Sequence, residues 1–289
     1  MEQEIDSVDL EIIVADGMSD DGTREILNNL ASYIPKLYII DNPKKTTSCG
    51  LNNAINIATG DIIIRMDVHT VYAANYLTLC CATLTQTQAT NVGGPWRAIG
   101  NGYVQSAIAQ AFHSPFAVGG ARSHIENYEG PVDSVYLGCW FKCAFDKFGL
   151  FDDNLIRNQD DEHNFRIIES GGVVWQNPEI KSWYYPRSNI KDLYYQYLQY
   201  GYWKVRVIQK HNKPAALRHL VPSAFILVLI FSTMSALVST WGKIALVTLL
   251  GSYALSSVFA SFIACHKARN YRFFPIMPVI FMAFQFGYG

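Results

Sequence analysis

Charged residues are scarce in this 289-residue chain, and acidic residues are absent from its C-terminal part. Charged residues make up 16% of the chain, against about 25% in a typical soluble domain, and no Asp or Glu occurs between His219 and Gly289. That tail holds four of the 23 basic residues, so residues 1–218 carry 19 basic and 24 acidic residues, a net charge of −5. Half of the chain is hydrophobic, which excludes a disordered protein, and the near-neutral charge excludes nucleic-acid binding through overall positive charge.

Three further features are missing. No internal repeat or low-complexity tract occurs, which excludes a fibrous protein. Met1 is followed by Glu2, Glu4 and Asp6 without an apolar run, so no secretory signal peptide is predicted. The six cysteines form no C-x-x-C pair and no zinc-type spacing, and in a reducing compartment they are interpreted as small apolar residues. They are Cys49, Cys80, Cys81, Cys139, Cys143 and Cys265.

The acid-free tail contains long apolar runs. Residues 220–242 and 244–265 contain no charged residue, and about 20 apolar residues span a bilayer core. A third run, residues 273–289, is short for a span and is predicted to be a borderline span or an interfacial segment. The alternative is that the runs are buried helices of a soluble protein. We predict two or three transmembrane helices.

Basic residues flank these runs unequally, which predicts an orientation. Lys204, Arg206, Lys210, Lys213 and Arg218 precede the first run, Lys243 lies between the two, and Lys267, Arg269 and Arg272 follow the second. The positive-inside rule places the flanks, together with the N-terminal 218 residues, in the cytoplasm. The sequence thus predicts a multi-pass protein of the inner or plasma membrane.

The N-terminal part alternates apolar runs with helical patterns, which favours an α/β domain with a largely parallel sheet. Strands are predicted at residues 10–17, 37–41, 61–67 and 135–141, and helices at residues 23–32, 51–58, 73–85 and 162–170, the last closed by Gly171 and Gly172. Residues 91–133 have no clean period and are predicted to cover a site. Residues 191–210 are aromatic and basic and lead into the apolar tail.

Acidic clusters follow two of the predicted strands, where open parallel sheets bind ligands. The turn ADGMSDDGT contains Asp16, Ser19 and Asp21, and the alternative is that it caps a helix. In MDVHT, Asp67 and His69 are two residues apart and would face the same way on a strand. A carboxylate and an imidazole on one face can hold Mn²⁺ or Mg²⁺, with phosphate oxygens as further ligands; the alternative is a polar loop.

A third acidic cluster opens a predicted helix in RNQDDEHNFR. Asp160, Asp161 and Glu162 are favourable there in part because anions stabilise a helix N-terminus. Three acids exceed what a cap requires, so one of them is a candidate general base.

Taken together, these motifs resemble the inverting nucleotide-sugar glycosyltransferases of family 2, which have the GT-A fold. DGMSDDGT resembles the D-G-x-S-x-D-G-T turn, the stretch ending in MDVH resembles the D-x-D region with His69 as its last residue, and QDDEHNFR resembles E-D-x-E/D-L-x-x-R with Gln159 in place of Glu. QYGYW resembles the Q-x-x-R-W box with Tyr202 in place of Arg. With GGPWR and VGGAR, the pattern is most similar to the succinoglycan-type exopolysaccharide glycosyltransferases.

The resemblance implies a domain plan and a set of site residues. Residues 1–190 would form the GT-A-like (Rossmann-like) domain, residues 191–218 an amphipathic juxtamembrane segment, and residues 219–289 the transmembrane region. Asp160 would be the catalytic base, a divalent metal would be held by Asp67 and His69, and the donor would be a nucleotide sugar such as a UDP-sugar. The nucleotide-sugar site would comprise Asp16, Ser19, Asp21 and Asp67, and the side of the acceptor or diphosphate Asp161, Gln199, Trp203 and Lys204.

The resemblance also implies the reaction, which is transfer of a sugar to a lipid-linked or polysaccharide acceptor in exopolysaccharide or cell-surface glycan synthesis. Trp203 would stack on a sugar ring, with an interfacial aromatic anchor as the alternative, and Lys204 or Arg206 would supply the charge that Tyr202 lacks.

The chain also departs from the family pattern. The family's first strand and helix are expected to be missing, and the final apolar run is expected to be cut short. The alternative function is therefore a truncated, non-catalytic membrane component of a polysaccharide-assembly complex. Transport is disfavoured because the spans contain no acid.

Overall fold

The computed structural model describes Gln3 and residues 9–289; most of the residues on which the signal-peptide prediction depends lie outside this part. The strands are β1 Ile12–Asp16, β2 Leu37–Asp41, β3 Ile62–Ile64, β4 Thr70–Tyr72, β5 Asn91–Gly94, β6 Gly130–Pro131, β7 Tyr136–Phe141, β8 Val174–Gln176 and β9 Ser182–Tyr184. The α-helices are α1 Thr23–Ala31, α2 Thr47–Ile57, α3 Tyr76–Thr87, α4 Gly102–Ala111, α5 Pro115–Val118, α6 Cys143–Phe148, α7 Gln159–Glu169, α8 Ile190–His211, α9 Val221–Val238, α10 Thr240–Lys267 and α11 Met277–Tyr288.

The chain divides into two compact units that interleave along the sequence. The first comprises the described residues up to Pro95 and then Glu126–Ser182, and the second comprises Trp96–Ile125 and Trp183–Gly289. The boundaries at residues 190 and 218 stay a prediction from the sequence.

The first unit contains a mixed sheet, not the largely parallel one predicted. β1 and β2 form a parallel pair in which Asp16 lies opposite Asp41. A five-stranded sheet has the order β3-β7-β5-β8-β6, and β5–β8 is parallel while β3–β7, β5–β7 and β6–β8 are antiparallel. The prediction is wrong because β7 enters the sheet, between β3 and β5, only after the chain has left for residues 96–125 of the second unit. Strand–helix alternation carries no signal for that reversal.

The predicted element boundaries hold near β1, α1, β2 and β7 and shift at other elements. α2 begins at Thr47, four residues before the predicted start, because Gly50 lets the first helical turn pack closely. A Cβ on Gly50 would lie 2.9 Å from Asn42 Nδ2 and 3.2 Å from Ala15 Cβ. A larger residue at this position would therefore force the first turn of α2 away from Asn42 and Ala15. α7 begins three residues early, after Asn158 in the left-handed conformation with φ 59°.

The core of the first unit is aromatic and encloses one histidine. Trp140, Phe145 and Phe151 surround His163, with ring centroids 6.0, 5.4 and 4.8 Å from the imidazole. The His163 side chain is fully buried, and its Nε2 lies 3.0 Å from the carbonyl oxygen of Gly149. Burial lowers the pKa of His163 to about 4, because the charged form is poorly solvated there. The imidazole is therefore neutral and donates from Nε2.

This histidine should make the stability of the protein fall as the solution is acidified. Between the ordinary pKa of 6.5 and about 4, the unfolded chain binds a proton that the folded chain does not, so the free energy of unfolding decreases as the pH falls through that window, by about 3 kcal/mol in total. Thermal unfolding of the wild type and of His163→Gln, whose amide keeps a donor for Gly149, measures this term. The substituted protein should lose less stability, and parallel pH dependences would contradict the assignment.

The second unit has a helical core. Part of this core is formed by residues within 91–133, a stretch that was predicted to be irregular. Residues 102–111 form α4. This helix was not predicted, because its Ala and Gly residues give little periodicity of hydrophobic side chains. Buried residues of α4 and α11 pack with Leu193 of α8, and Phe112, Tyr197 and Phe284 meet edge to face. α11 has 12 apolar-rich residues, about 18 Å in length.

Within residues 9–289, two helices are long and apolar enough to cross a membrane. Residues Leu217–Val238 and Thr240–Lys267 have mean hydropathies of 2.2 and 1.8. Only 11% of the most apolar 18-residue stretch of each is buried, which is unlike the core helix of a soluble protein. Ser239 alone separates α9 from α10, so Lys243 lies inside the first turn of α10 and not between two spans as predicted.

Candidate active site

Asp16 ends β1, is itself buried, and is the centre of a polar network. Its side chain accepts hydrogen bonds from the Ser19 hydroxyl at 2.6 Å, from the Ser19 backbone N–H at 3.2 Å and from Arg24 Nη1 at 3.0 Å. The hydrogen bond from the Ser19 side chain is the main reason that the pKa of Asp16 lies below its ordinary value. The carboxylate is therefore held ionised and oriented at the carboxyl end of a strand, where ligands bind.

Asp21 has a different role from Asp16 and Ser19. Its Oδ1 accepts from the backbone N–H of Thr23 at 3.1 Å, at the start of α1, and hydrogen bonds from Thr23 lower its pKa. Asp21 therefore contacts the first residue of α1 from one position before the N-cap residue Gly22, whereas Asp16 and Ser19 form the network described above.

Arg24 and Asp41 belong to this network and were not singled out in the sequence. Arg24 Nη2 donates to Asp41 at 2.6 Å while its Nη1 donates to Asp16. The parallel register places the two carboxylates side by side at the ends of β1 and β2, and one guanidinium of α1 bridges them. Asp41 could have been recognised from its position, because it ends the second predicted strand as Asp16 ends the first.

Asp67 and His69 lie in a turn, so the expectation that they share the face of a strand is wrong. β3 ends at Ile64, and the backbone N–H of Thr70 donates to Asp67 O at 3.2 Å. The backbone N–H of His69 donates to Asp67 Oδ1 at 3.2 Å. The Tyr72 hydroxyl accepts from the backbone N–H of Asp67 at 2.5 Å and donates to its carbonyl at 3.0 Å, and burial raises the pKa of Tyr72. The turn is thus held by hydrogen bonds and leaves the His69 side chain exposed.

This turn offers one carboxylate and one imidazole as potential ligands of a divalent ion. Among Gln3 and residues 9–289, no group of three or more His, Cys, Asp or Glu side chains is arranged to hold a metal. A carboxylate and an imidazole supply at most three donor atoms, so most ligands of such an ion would come from a bound diphosphate and water.

Asp160 opens α7 and faces the segment that follows β3. The backbone N–H of Asp161 donates to Asp160 Oδ1 at 2.9 Å, and Arg65 Nη1 lies 3.7 Å from Asp160 Oδ2. The Asp160 side chain is 30% exposed, so a substrate hydroxyl can reach it. The structure therefore places Arg65, two residues before Asp67, beside Asp160 of the third acidic cluster.

Glu162 and Arg166, which set the register of the third motif, form a buried structural pair. Arg166 Nε lies 3.0 and 3.1 Å from the two carboxylate oxygens of Glu162, whose side chain is fully buried. Arg166 also donates to the carbonyl oxygens of Phe148 and Leu150, the latter at 2.6 Å. This pair fixes α7, and with it Asp160, against the end of α6.

The three acceptor-side candidates of the fourth motif lie on α8 of the second unit. Lys204 is buried with 5% exposure, Trp203 is half-buried and Gln199 is exposed. Arg206 Nη2 donates to the Tyr202 hydroxyl at 2.9 Å, and its guanidinium lies over the Tyr202 ring. Arg206, one of the two cations considered for the place of the missing Arg, therefore contacts Tyr202.

Known proteins resemble the chain in sequence. The model of glycosyl transferase family 2 matches residues 2–151. The succinoglycan biosynthesis protein ExoA of Rhizobium meliloti (strain 1021) is 30% identical over 215 residues, 74% of this chain and 65% of that protein. A Methanococcus voltae dolichyl N-acetyl-α-D-glucosaminyl phosphate 3-β-D-2,3-diacetamido-2,3-dideoxy-β-D-glucuronosyltransferase is 27% identical over 69% of this chain and 64% of that protein. The chain thus spans slightly less than two thirds of each relative.

Solved structures share the fold at low sequence identity. The mannosyltransferase PcManGT of Pyrobaculum calidifontis, in complex with GDP-Man and Mn²⁺, superposes with a TM-score of 0.61 at 16% identity, covering 96% of this chain and 77% of that one. Residues 1–349 of S. aureus TarS superpose with a TM-score of 0.50 at 12% identity, covering 99% and 82%. These likenesses indicate the GT-A fold, and the family model covers more than half of the chain. The chain belongs to glycosyl transferase family 2.

Proposed function

We propose that this chain is a membrane-bound inverting glycosyltransferase that moves a sugar from a nucleotide-sugar donor to a lipid-linked or polysaccharide acceptor. Membership of the family makes transfer the leading function. The observation that carries the proposal is the contact of Arg65 with Asp160 at 3.7 Å, since it joins the segment proposed for the donor diphosphate to the carboxylate proposed as base.

The proposed donor site begins at Asp16. Carboxylates at the ends of parallel strands suit the N–H groups of a nucleobase and the hydroxyls of a ribose, and Asp16 with Ser19 offers such a site. UDP-sugar is the proposed donor; GDP-Man is bound by the structural relative PcManGT, so both nucleotides belong in the assay.

In the proposed reaction the acceptor hydroxyl attacks the anomeric carbon while the bond to the diphosphate breaks. The proton of that hydroxyl passes to the carboxylate of Asp160, and the diphosphate leaves with the electron pair of the broken bond. A divalent ion held by Asp67 and His69 would neutralise the charge that develops on the diphosphate. Displacement from the opposite face inverts the anomeric configuration. On α8, Gln199, Trp203 and Lys204 are proposed to contact the acceptor.

Asp67 should be required for metal-dependent turnover. We expect Asp67→Asn, like removal of divalent ions by EDTA, to lower donor turnover by about 100-fold or more, because a bound metal supplies several kcal/mol of transition-state stabilisation. The measurement is release of nucleoside diphosphate with Mn²⁺ or Mg²⁺ added back. Asp61→Asn is the matched control, since Asp61 is an exposed carboxylate immediately before the same strand.

Calorimetric titration of the full chain with nucleotide separates the two candidate functions. Metal-dependent binding supports the transferase. If neither UDP nor GDP binds with Mn²⁺ or Mg²⁺ present, the chain is better described as a non-catalytic component of a polysaccharide-assembly complex.

The membrane placement is testable independently. We expect the full chain to stay in the membrane pellet after alkaline carbonate extraction, because α9 and α10 expose apolar side chains along their length. We also expect a reporter fused after Arg269 to be cytoplasmic, as the positive-inside rule requires. Release of the chain by carbonate would contradict a transmembrane anchor.

A further inference from the structure

Arg65 is a buried cation with an unused donor. It follows β3, where its backbone N–H donates to Gly138 O of β7 at 3.1 Å, and its side chain is 10% exposed. Its Nη1 is buried and makes no hydrogen bond in the described part of the chain. Burying a guanidinium is costly unless its donors are satisfied, so an unsatisfied one at this place calls for an explanation.

The donor lies beside the proposed base. Arg65 Nη1 is 3.7 Å from Asp160 Oδ2, which is within ion-pair range but too long for a hydrogen bond. The other oxygen of Asp160 accepts from the backbone N–H of Asp161 at 2.9 Å. Hydrogen bonds to catalytic carboxylates are often long without substrate and tighten in the reacting complex.

Two further carboxylates lie next to Asp160 on its own helix. Asp161 and Glu162 follow Asp160 on α7, and Glu162 is engaged by Arg166. On the segment that carries Arg65, the Tyr72 hydroxyl makes hydrogen bonds to the backbone N–H and carbonyl of Asp67. Neighbouring carboxylates favour protonation of an acid, whereas a cation within about 4 Å favours the ionised form that a base requires.

We infer that Arg65 is a positioning residue for Asp160: its Nη1 fixes Oδ2 of the carboxylate and keeps the carboxylate ionised while the acceptor hydroxyl binds. This inference rests on the proposed role of Asp160 as base. A lysine would keep the charge but not the planar array of donors, so charge and orientation are separable by substitution.

The test compares Arg65→Gln and Arg65→Lys with the wild type in the full chain. We expect Arg65→Gln to lower kcat by about 10- to 100-fold and to move the acidic limb of the pH–kcat profile up by about one pH unit. Arg65→Lys should lower kcat but leave the limb in place, since the charge remains. The dissociation constant of the nucleotide should stay within about twofold in both. Lys181→Gln, which removes an exposed ion pair with Glu179, is the control.

Each other outcome has a defined meaning. Weaker nucleotide binding with an unshifted pH profile would overturn the inference and make Arg65 a donor-binding residue, and wild-type kinetics would overturn it outright. If Arg65→Gln does not fold, judged by its thermal midpoint, Arg65→Lys decides: wild-type kcat overturns the inference and a lowered kcat at an unshifted limb supports it. Asp160→Asn is measured in parallel. If Asp160→Asn is fully active, Asp160 is not the base, and the proposed mechanism fails together with the inference. If Asp160→Asn is inactive and Arg65→Gln has normal kinetics, only the role of Arg65 is overturned.

Discussion

Asp160→Asn is expected to lower kcat by about 10²- to 10⁴-fold, the usual contribution of a general base. The amide is nearly the same size as the carboxylate, and its oxygen still accepts from the Asp161 backbone N–H, so the start of α7 should remain intact. It cannot take a proton from an acceptor hydroxyl. The measurement is single-turnover transfer from labelled donor, with the nucleotide dissociation constant determined separately and expected to be unchanged.

The controls for this prediction are two other carboxylates. Glu179→Gln removes an exposed charge that is paired with Lys181 and should leave kcat as it is. Asp161→Asn tests the neighbouring acid, which was assigned to the acceptor or diphosphate side, and should raise KM more than it lowers kcat. A loss of kcat in Asp161→Asn with retention in Asp160→Asn would transfer the role of base to Asp161.

Arg166→Met is expected to destabilise the first unit by about 3–5 kcal/mol, the cost of leaving a buried charge without its partner. Glu162 is fully buried, and Arg166 also satisfies the carbonyl oxygens of Phe148 and Leu150. Gly149 between them has φ +78°, and a Cβ there would lie 2.9 Å from Arg166 Nη1, so the loop is shaped around the guanidinium. Thermal or denaturant unfolding measures the loss.

The double variant Glu162→Gln/Arg166→Met separates charge burial from packing. It should recover part of the stability that Arg166→Met loses, because no isolated charge remains. Lys181→Met, which breaks an exposed pair, should cost no more than about 1 kcal/mol. Equal losses in the single and double variants would mean that the carbonyl contacts, and not the charge of Glu162, carry the effect.

The sequence was most informative where local pattern decides structure. The apolar runs of β1 and β2 and the helix between them appear nearly where they were predicted, and the two apolar helices of the tail are long enough for the predicted spans. The direction of β7 could not be predicted, because it depends on a return from residues of the second unit. The helical start at Thr47 could not be predicted either, since it depends on the space that Gly50 leaves for Asn42.

The sequence predicted which residues cluster along the chain in the candidate site, but not how their side chains are arranged in space. Proximity of Asp16 to Ser19 follows from a tight turn, but the bridge from Arg24 to Asp41 requires the parallel register of two strands. Asp67 and His69 were paired for the wrong reason, because the strand that would align them ends at Ile64 and a turn holds them instead. The roles assigned to Asp160, Asp67 and the α8 residues stay predictions until the substitutions are measured.

The unequal lengths of α9 and α10 bear on how the tail would sit in a bilayer. Counted from Leu217, the helix that contains α9 has 22 residues, and α10 has 28, so they are about 33 Å and about 42 Å long, while a hydrocarbon core is about 30 Å thick. The last three turns of α10 carry a buried stripe of Ser257, Ser261 and Cys265, and Cys265 belongs to the core formed by α4 and α11. In a bilayer, a shift of α9 and α10 along the membrane normal would break the contacts of these three residues with the rest of the protein. The depth of the two helices would therefore be set by protein packing and not by the lipid alone.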